Sequence, residues 1–155
     1  MKSILEFREN YRFLSNFWPV QVQYCGKFYP TVENAFQAAK TLDKREREAF
    51  IEVSPGKAKG MGKALSLRPE WDKIKVAIMF KLIVKKFGDD GSEELVRALL
   101  DTGDAQLVEG NQWKDNFWGT CPVGSVCGQN WLGKLLMLRR SQLMLSGSLS
   151  RLKSS

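Results

Sequence analysis

Ten consecutive residues, Thr31 to Lys40 (Thr-Val-Glu-Asn-Ala-Phe-Gln-Ala-Ala-Lys), constrain the fold more than any other stretch. Pro30 closes off the preceding segment, and Thr31 is suited to cap a helix N-terminus. At 100° per residue, Val32, Ala35, Phe36 and Ala39 share one arc, which must face a core. Glu33, Gln37 and Lys40 fall together on the shoulder of that arc. Glu33 and Lys40 are seven residues apart, so about 10 Å along the axis, too far for an i,i+4 ion pair. The spacing therefore predicts a half-buried helix with a carboxylate, an amide and an amine along one edge. A small substrate can lie between them. An amphipathic helix with a solvated polar flank explains the same pattern.

The 155 residues suit one domain with its own core. That domain is expected over 1–145, with 146–155 a flexible tail of Ser, Leu and Lys that has little to bury. No apolar run approaches the ~20 residues that span a bilayer, and Met1–Asn10 lacks an apolar secretory core. Cys25, Cys121 and Cys127 are odd in number and form no Cys-x-x-Cys. They read as reduced thiols in a cytoplasmic protein without a membrane partner. The chain has no histidine, which excludes His-dependent triads and argues against a structural zinc site; no motif points to another metal or an organic cofactor, and none is expected. Acid–base chemistry then falls to carboxylates, Lys, Tyr or Cys.

The net charge of +7 is unevenly spread. Residues 57–86 carry nine Lys/Arg against Glu70 and Asp72, whereas 89–118 carry eight acids against Arg97 and Lys114. A basic helical face beside an acidic segment suggests an anionic ligand held near carboxylates; solubilising lysines give the same count.

Along the chain, Ile4, Leu5 and Phe7 read as a first strand, and Asn16 and Trp18 lie in an aromatic loop where a base can stack. Cys25-Gly26-Lys27 reads as a hairpin turn. Asp43–Glu52 reads as a charged helix, and Ser54-Pro55 starts another through Ala64. Its glycines do not make a phosphate loop. The spacing from Gly56 to Gly62 is wrong, and Ala64 stands where Ser or Thr would hold magnesium. Close helix packing at Gly60 is expected instead. Pro69–Phe87 is the longest helical pattern, with Trp71, Ile74, Ile78 and Leu82 as its stripe. Ser92 caps a helix through Leu100, Leu107–Asn111 reads as a strand ending in a turn, and Gln129–Leu145 as a last helix.

Six short motifs occur in order: Phe13-Leu-Ser-Asn-Phe17, Val32-Glu-Asn-Ala-Phe-Gln-Ala-Ala-Lys40, Arg68-Pro-Glu-Trp71, Leu107-Val-Glu109, Asp115-x-x-Trp118-Gly119 and Gly128-x-Asn130-x-Leu132-Gly133. Together they resemble the NADAR, or YbiA-like, family over about residues 5–140. Asn34-Ala35 departs from the His-Tyr of many relatives. The resemblance implies a single compact α+β domain, mainly helical with a few short strands. It also implies an N-glycosidase that cuts at ribose C1′. Some relatives act on phosphorylated ribosylaminopyrimidine intermediates of riboflavin synthesis, and others remove ADP-ribose from modified guanine.

Carried over by motif, the resemblance makes Lys40 the covalent participant, Glu109 its acid–base partner and Glu33 a further catalytic acid. Asn16, Gln37, Trp71, Asp115, Trp118, Gly119 and Asn130 complete the substrate pocket. Each has a structural alternative: Trp71 as a core anchor, Glu109 as a turn cap, Asn130 as a helix N-cap. Breaking C1′–N builds oxocarbenium-like charge that carboxylates stabilise. A neutral lysine can attack C1′ and, after ring opening, leave an imine that water hydrolyses. Burial lowers the Lys40 pKa and Glu33 raises it. Lys57, Lys59, Lys63, Lys73 and Lys75 are candidates for substrate phosphates. The basic segment favours ADP-ribosylated guanine in nucleic acid over a small phosphorylated riboside of riboflavin synthesis. A non-catalytic ADP-ribose-binding module is the third alternative.

Overall fold

The computed structural model describes residues 2–154. In chain order the elements are β1 (Ser3–Ile4), a 3-10 helix (Glu9–Leu14), β2 (Val22–Tyr24), β3 (Lys27–Tyr29), α1 (Val32–Ala38), α2 (Lys44–Glu48), α3 (Pro55–Lys63), α4 (Trp71–Lys86), α5 (Glu93–Asp101), β4 (Gln106–Leu107) and α6 (Trp131–Ser154). The fold is α+β and mostly helical, as the motifs implied. The chain forms two compact units, Asn16–Ser92 and Met1–Ser15 with Glu93–Ser155.

The Asn16–Ser92 unit is built around α1. Thr31 caps it, its Oγ1 accepting from Asn34 N–H at 3.1 Å. The Asn34 side chain holds the segment after α2 in place, its Nδ2 donating to Phe50 O and Val53 O, both at 2.8 Å. Helices α3 and α4 and strands β2 and β3 all pack on α1. The result differs from the expected half-buried helix: every residue from Val32 to Ala38 is buried, Glu33 and Gln37 included. Alternation of residue types cannot reveal neighbours on all sides. The helix also ends at Ala38, so Lys40 lies in the turn just beyond it.

Strands β2 and β3 pair antiparallel across Cys25-Gly26. Both turn residues have positive φ, 47° and 82°, as a two-residue primed turn needs. At the far end of α4, Lys85 Nζ donates to Gln23 O at 2.6 Å and Gln23 N–H to Asp90 Oδ2 at 2.8 Å. The buried face of α4 is Trp71, Met79, Leu82, Ile83 and Lys86; Ile74 and Ile78 stay half-buried. In α3, Gly60 meets nothing, and the close approach expected there falls two residues later, at Gly62.

In the other unit β1 pairs parallel with β4, Ile4 opposite Leu107. The strand expected over 107–111 therefore ends at Leu107, and Glu109 lies in the loop beyond it. Residues Glu9–Leu14 form a 3-10 helix. Helix α6 packs on β4 and α5. Arg140, 6% exposed, ties it down by donating to Thr102 Oγ1 (2.7 Å) and Ala105 O (2.9 Å). The helix runs past the expected end at Leu145 to Ser154. Leu145, Ser146 and Gly147 are exposed there. No helix among the described residues is long and apolar enough to cross a membrane.

Candidate active site

Within Asn16–Ser92, α1 and the turn after it bring Glu33, Gln37 and Lys40 together. Glu33 and Gln37 are 8% and 5% exposed, and Gln37 Nε2 donates to Glu33 Oε1 at 2.7 Å. Residues four apart on a helix face one another, so the local fold makes this contact. Asn16 joins them through its backbone, its carbonyl accepting from Glu33 N–H at 3.1 Å. Its side-chain Nδ2 points to Met79 Sδ at 3.5 Å. Trp71 is buried, 6% exposed, with its ring centroid 5.2 Å from that of Phe36 at a tilt of 48°. That face of the indole is in use as a core contact.

The turn carrying Lys40 is pinned from outside α1. Arg68 N–H donates to Lys40 O at 2.8 Å, and Arg68 Nη1 lies 3.3 Å from Tyr24 Oη. Lys40 itself is half-buried. Its pKa is lowered below that of free lysine, first by burial; Glu33 pulls it upward, while the positive charges of Lys63, Lys75 and Lys59 push it further down. Burial and like charge are the two standard ways to keep a lysine amine neutral enough to react. Lys59 and Lys63 are one turn apart on α3, a spacing readable in the sequence, yet their effect on Lys40 was not. That effect depends on α3 packing against α1.

The structure sorts the other lysines proposed for phosphates. Lys73 pairs with Glu70, the residue before α4, at 3.1 Å and Lys75 with Asp72 at 3.0 Å, each three residues away. Lys57 and Lys63 are exposed on α3. The basic face of 57–86 does not include Lys86, which is 1% exposed with Nζ 5.1 Å from the Phe87 ring centroid.

In the second unit, a knot of hydrogen bonds shapes the loop that carries Glu109. Asn130 has positive φ (51°), and both ends of its amide are engaged by backbone. Its Oδ1 accepts from Glu109 N–H at 3.0 Å and its Nδ2 donates to Leu107 O at 2.9 Å. It immediately precedes α6 and brackets the 107–109 segment. Gly119 lies against Glu109 so closely that a Cβ there would overlap Glu109 O and approach its Cγ to 2.9 Å. Asp115 Oδ1 accepts from Phe117 N–H (3.1 Å) and Trp118 N–H (2.9 Å). Trp118 is half-buried, edge-on to Phe117 with centroids 4.9 Å apart.

Sequence reasoning missed Asn111 here. Fully buried, it donates through Nδ2 to Asp115 O (2.8 Å) and Thr120 O (3.2 Å) and accepts from Asp115 N–H (3.0 Å). An Asn four residues before an Asp in a turn-rich stretch was the available signal.

Among the described residues, no group of three or more His, Cys, Asp or Glu could hold a metal ion. The three cysteines are unbridged. Within Asn16–Ser92 the chemistry on offer is thus an amine with depressed basicity and a buried carboxylate with the amide that donates to it; the other unit offers the half-buried Glu109 carboxylate in a loop that Asn130 brackets.

Comparison with known proteins adds to this geometry. The NADAR domain matches residues 5–144. N-glycosidase YbiA of Escherichia coli (strain K12) is 41% identical over 140 residues, covering 87% of this chain and 83% of that protein. A riboflavin biosynthesis protein of Vibrio vulnificus (strain YJ016) is 34% identical over 143 residues, covering 87% of this chain and 36% of that one. The solution structure of Escherichia coli YbiA superposes with a TM-score of 0.80 at 37% identity, covering 95% of this chain and 89% of that chain.

Proposed function

The chain belongs to the NADAR domain family, and on that premise we propose that this hydrolase of N-glycosyl bonds removes ADP-ribose from ADP-ribosylated guanine in nucleic acid. The observation that carries the chemistry is the Lys40 amine, half-buried and held below the usual lysine pKa by burial and by Lys63, Lys75 and Lys59 against the pull of Glu33. A neutral amine attacks C1′ and the C1′–N bond breaks. The leaving base takes up a proton and the new C1′–ammonium gives one up, the acid–base work that the family motif assigns to Glu109. Ring opening protonates the ring oxygen and leaves an iminium on Lys40. Water adds to it, releases the sugar and restores the amine. Glu33 stabilises positive charge as it grows on the sugar.

The choice of a polyanionic substrate rests on the surplus of basic residues in 57–86 and on the exposure of Lys57 and Lys63. A second reading, an N-glycosidase for phosphorylated ribosylaminopyrimidines of riboflavin synthesis, is favoured by the name of the Vibrio vulnificus relative. Purified protein offered an ADP-ribosylated guanine oligonucleotide and, in parallel, a ribosylaminopyrimidine phosphate separates the two. Release of unmodified oligonucleotide is expected. Ring release from the small riboside alone would replace the first reading with the second. ADP-ribose binding without turnover of either would reduce the protein to a binding module.

A further inference from the structure

By motif Gln37 is a substrate ligand, yet its surroundings argue otherwise. The side chain is enclosed in the packing around α1, the residue being only 5% exposed. Its amide is turned so that Nε2 donates to Glu33 Oε1 at 2.7 Å. The other end, Oε1, is buried and has no hydrogen-bond partner among the described residues. Flipping the amide would bring oxygen against a carboxylate oxygen, so the orientation is fixed by Glu33 although it leaves a carbonyl without a donor. Oε1 can occupy that place only because residue 62 on α3 has no side chain. A Cβ there would overlap Oε1 and lie 2.7 Å from Gln37 Cδ. Gly62 has no positive φ to explain its presence, and it lies within α3, where glycine is a weaker helix former than alanine. Its reason is therefore space.

We infer that Gln37 is a positioning residue that holds the Glu33 carboxylate in its working orientation, and that Gly62 is the gap that lets it do so. This rests on the reading of Glu33 as an acidic group of the site, and the test needs no turnover. Glutamate δ-carbons are labelled with 13C, the Glu33 resonance is identified by its absence in Glu33→Gln, and its titration is followed by NMR. An amide that donates to the carboxylate favours its charged form. In Gln37→Met, which keeps the bulk and loses the donor, the Glu33 midpoint is expected to rise by about one unit. Gly62→Ala is expected to raise it in the same direction with Gln37 still present, because the new Cβ evicts the amide. Should Gly62→Ala fold poorly, Gln37→Ser/Gly62→Ala accommodates the Cβ and is expected to show the same raised midpoint.

A Glu33 midpoint unchanged to within about 0.2 units in Gln37→Met overturns the inference and leaves Gln37 a space filler. A midpoint that moves in a protein turning over neither substrate would leave the inference standing and sink the enzymatic reading instead.

Discussion

At position 40 two opposing effects act on one amine. Burial is the larger and disfavours the ammonium, Glu33 favours it, and three lysines disfavour it further. The folded-state pKa is therefore below the unfolded one. The charged form destabilises the fold at pH below the folded pKa, and that penalty is relieved as pH rises from the folded pKa toward the unfolded value. Lys40→Met is accordingly predicted to lose activity by at least about a hundredfold while its thermal midpoint at neutral pH stays level or rises. A fall of several degrees in a melting curve would show that the amine stabilises the fold, contrary to this account. The rate should climb with pH as the amine deprotonates, with its limb below the 10.5 of an ordinary lysine. Lys63→Met should move that limb upward, more at low salt than at high salt; a limb that stays in place would remove Lys63 from the amine's surroundings. Position 40 stood out in the sequence by its place seven residues after Glu33. Its state of protonation was not legible there, because it depends on what α3 and α4 bring beside it.

Among the elements, α1 shows most clearly what a one-dimensional pattern can carry. The Thr31 cap and the apolar arc of Val32, Ala35 and Phe36 were readable from residue type and spacing. Burial of the opposite face was not, because it depends on how β2 and β3 before it and α3 and α4 after it pack around α1. Asn34 is the sharpest case. As a departure from the family's usual residue it looked incidental, yet it is wholly buried and tethers Phe50 and Val53 through two hydrogen bonds of 2.8 Å. Asn34→Ala leaves those carbonyls buried without donors and is predicted to cost about 2–4 kcal/mol in urea unfolding. A loss under about 0.5 kcal/mol would mean the tether is replaceable. The loop of Glu109 failed as a strand prediction for a related reason. β4 stops at Leu107, opposite Ile4 of β1, and the chain beyond it is shaped by Asn111, Gly119 and Asn130. Glu109 and Asn130 were singled out by motif alone, and the hydrogen bond that links them spans 21 residues of sequence.

For the whole molecule, the relevant quantity is charge. A net +7 with its basic surplus in one stretch raises the local concentration of polyanions and does so less as salt is added. If nucleic acid is the substrate, kcat/KM on the modified oligonucleotide should fall about tenfold or more between about 50 and about 200 mM salt, and distinctly less on a modified mononucleotide. Equal salt dependence for the two would argue for a small riboside. Fold class and the ordered motifs were legible at this scale, whereas the aglycone was not, since charge attracts any phosphate. The central claim, that the amine of Lys40 bonds to the anomeric carbon during turnover, is tested most directly by borohydride trapping and mass measurement of the protein and its peptides. The account predicts a reduced sugar adduct on the Lys40 peptide that Lys40→Met does not form. An unchanged mass under conditions of full turnover would contradict it.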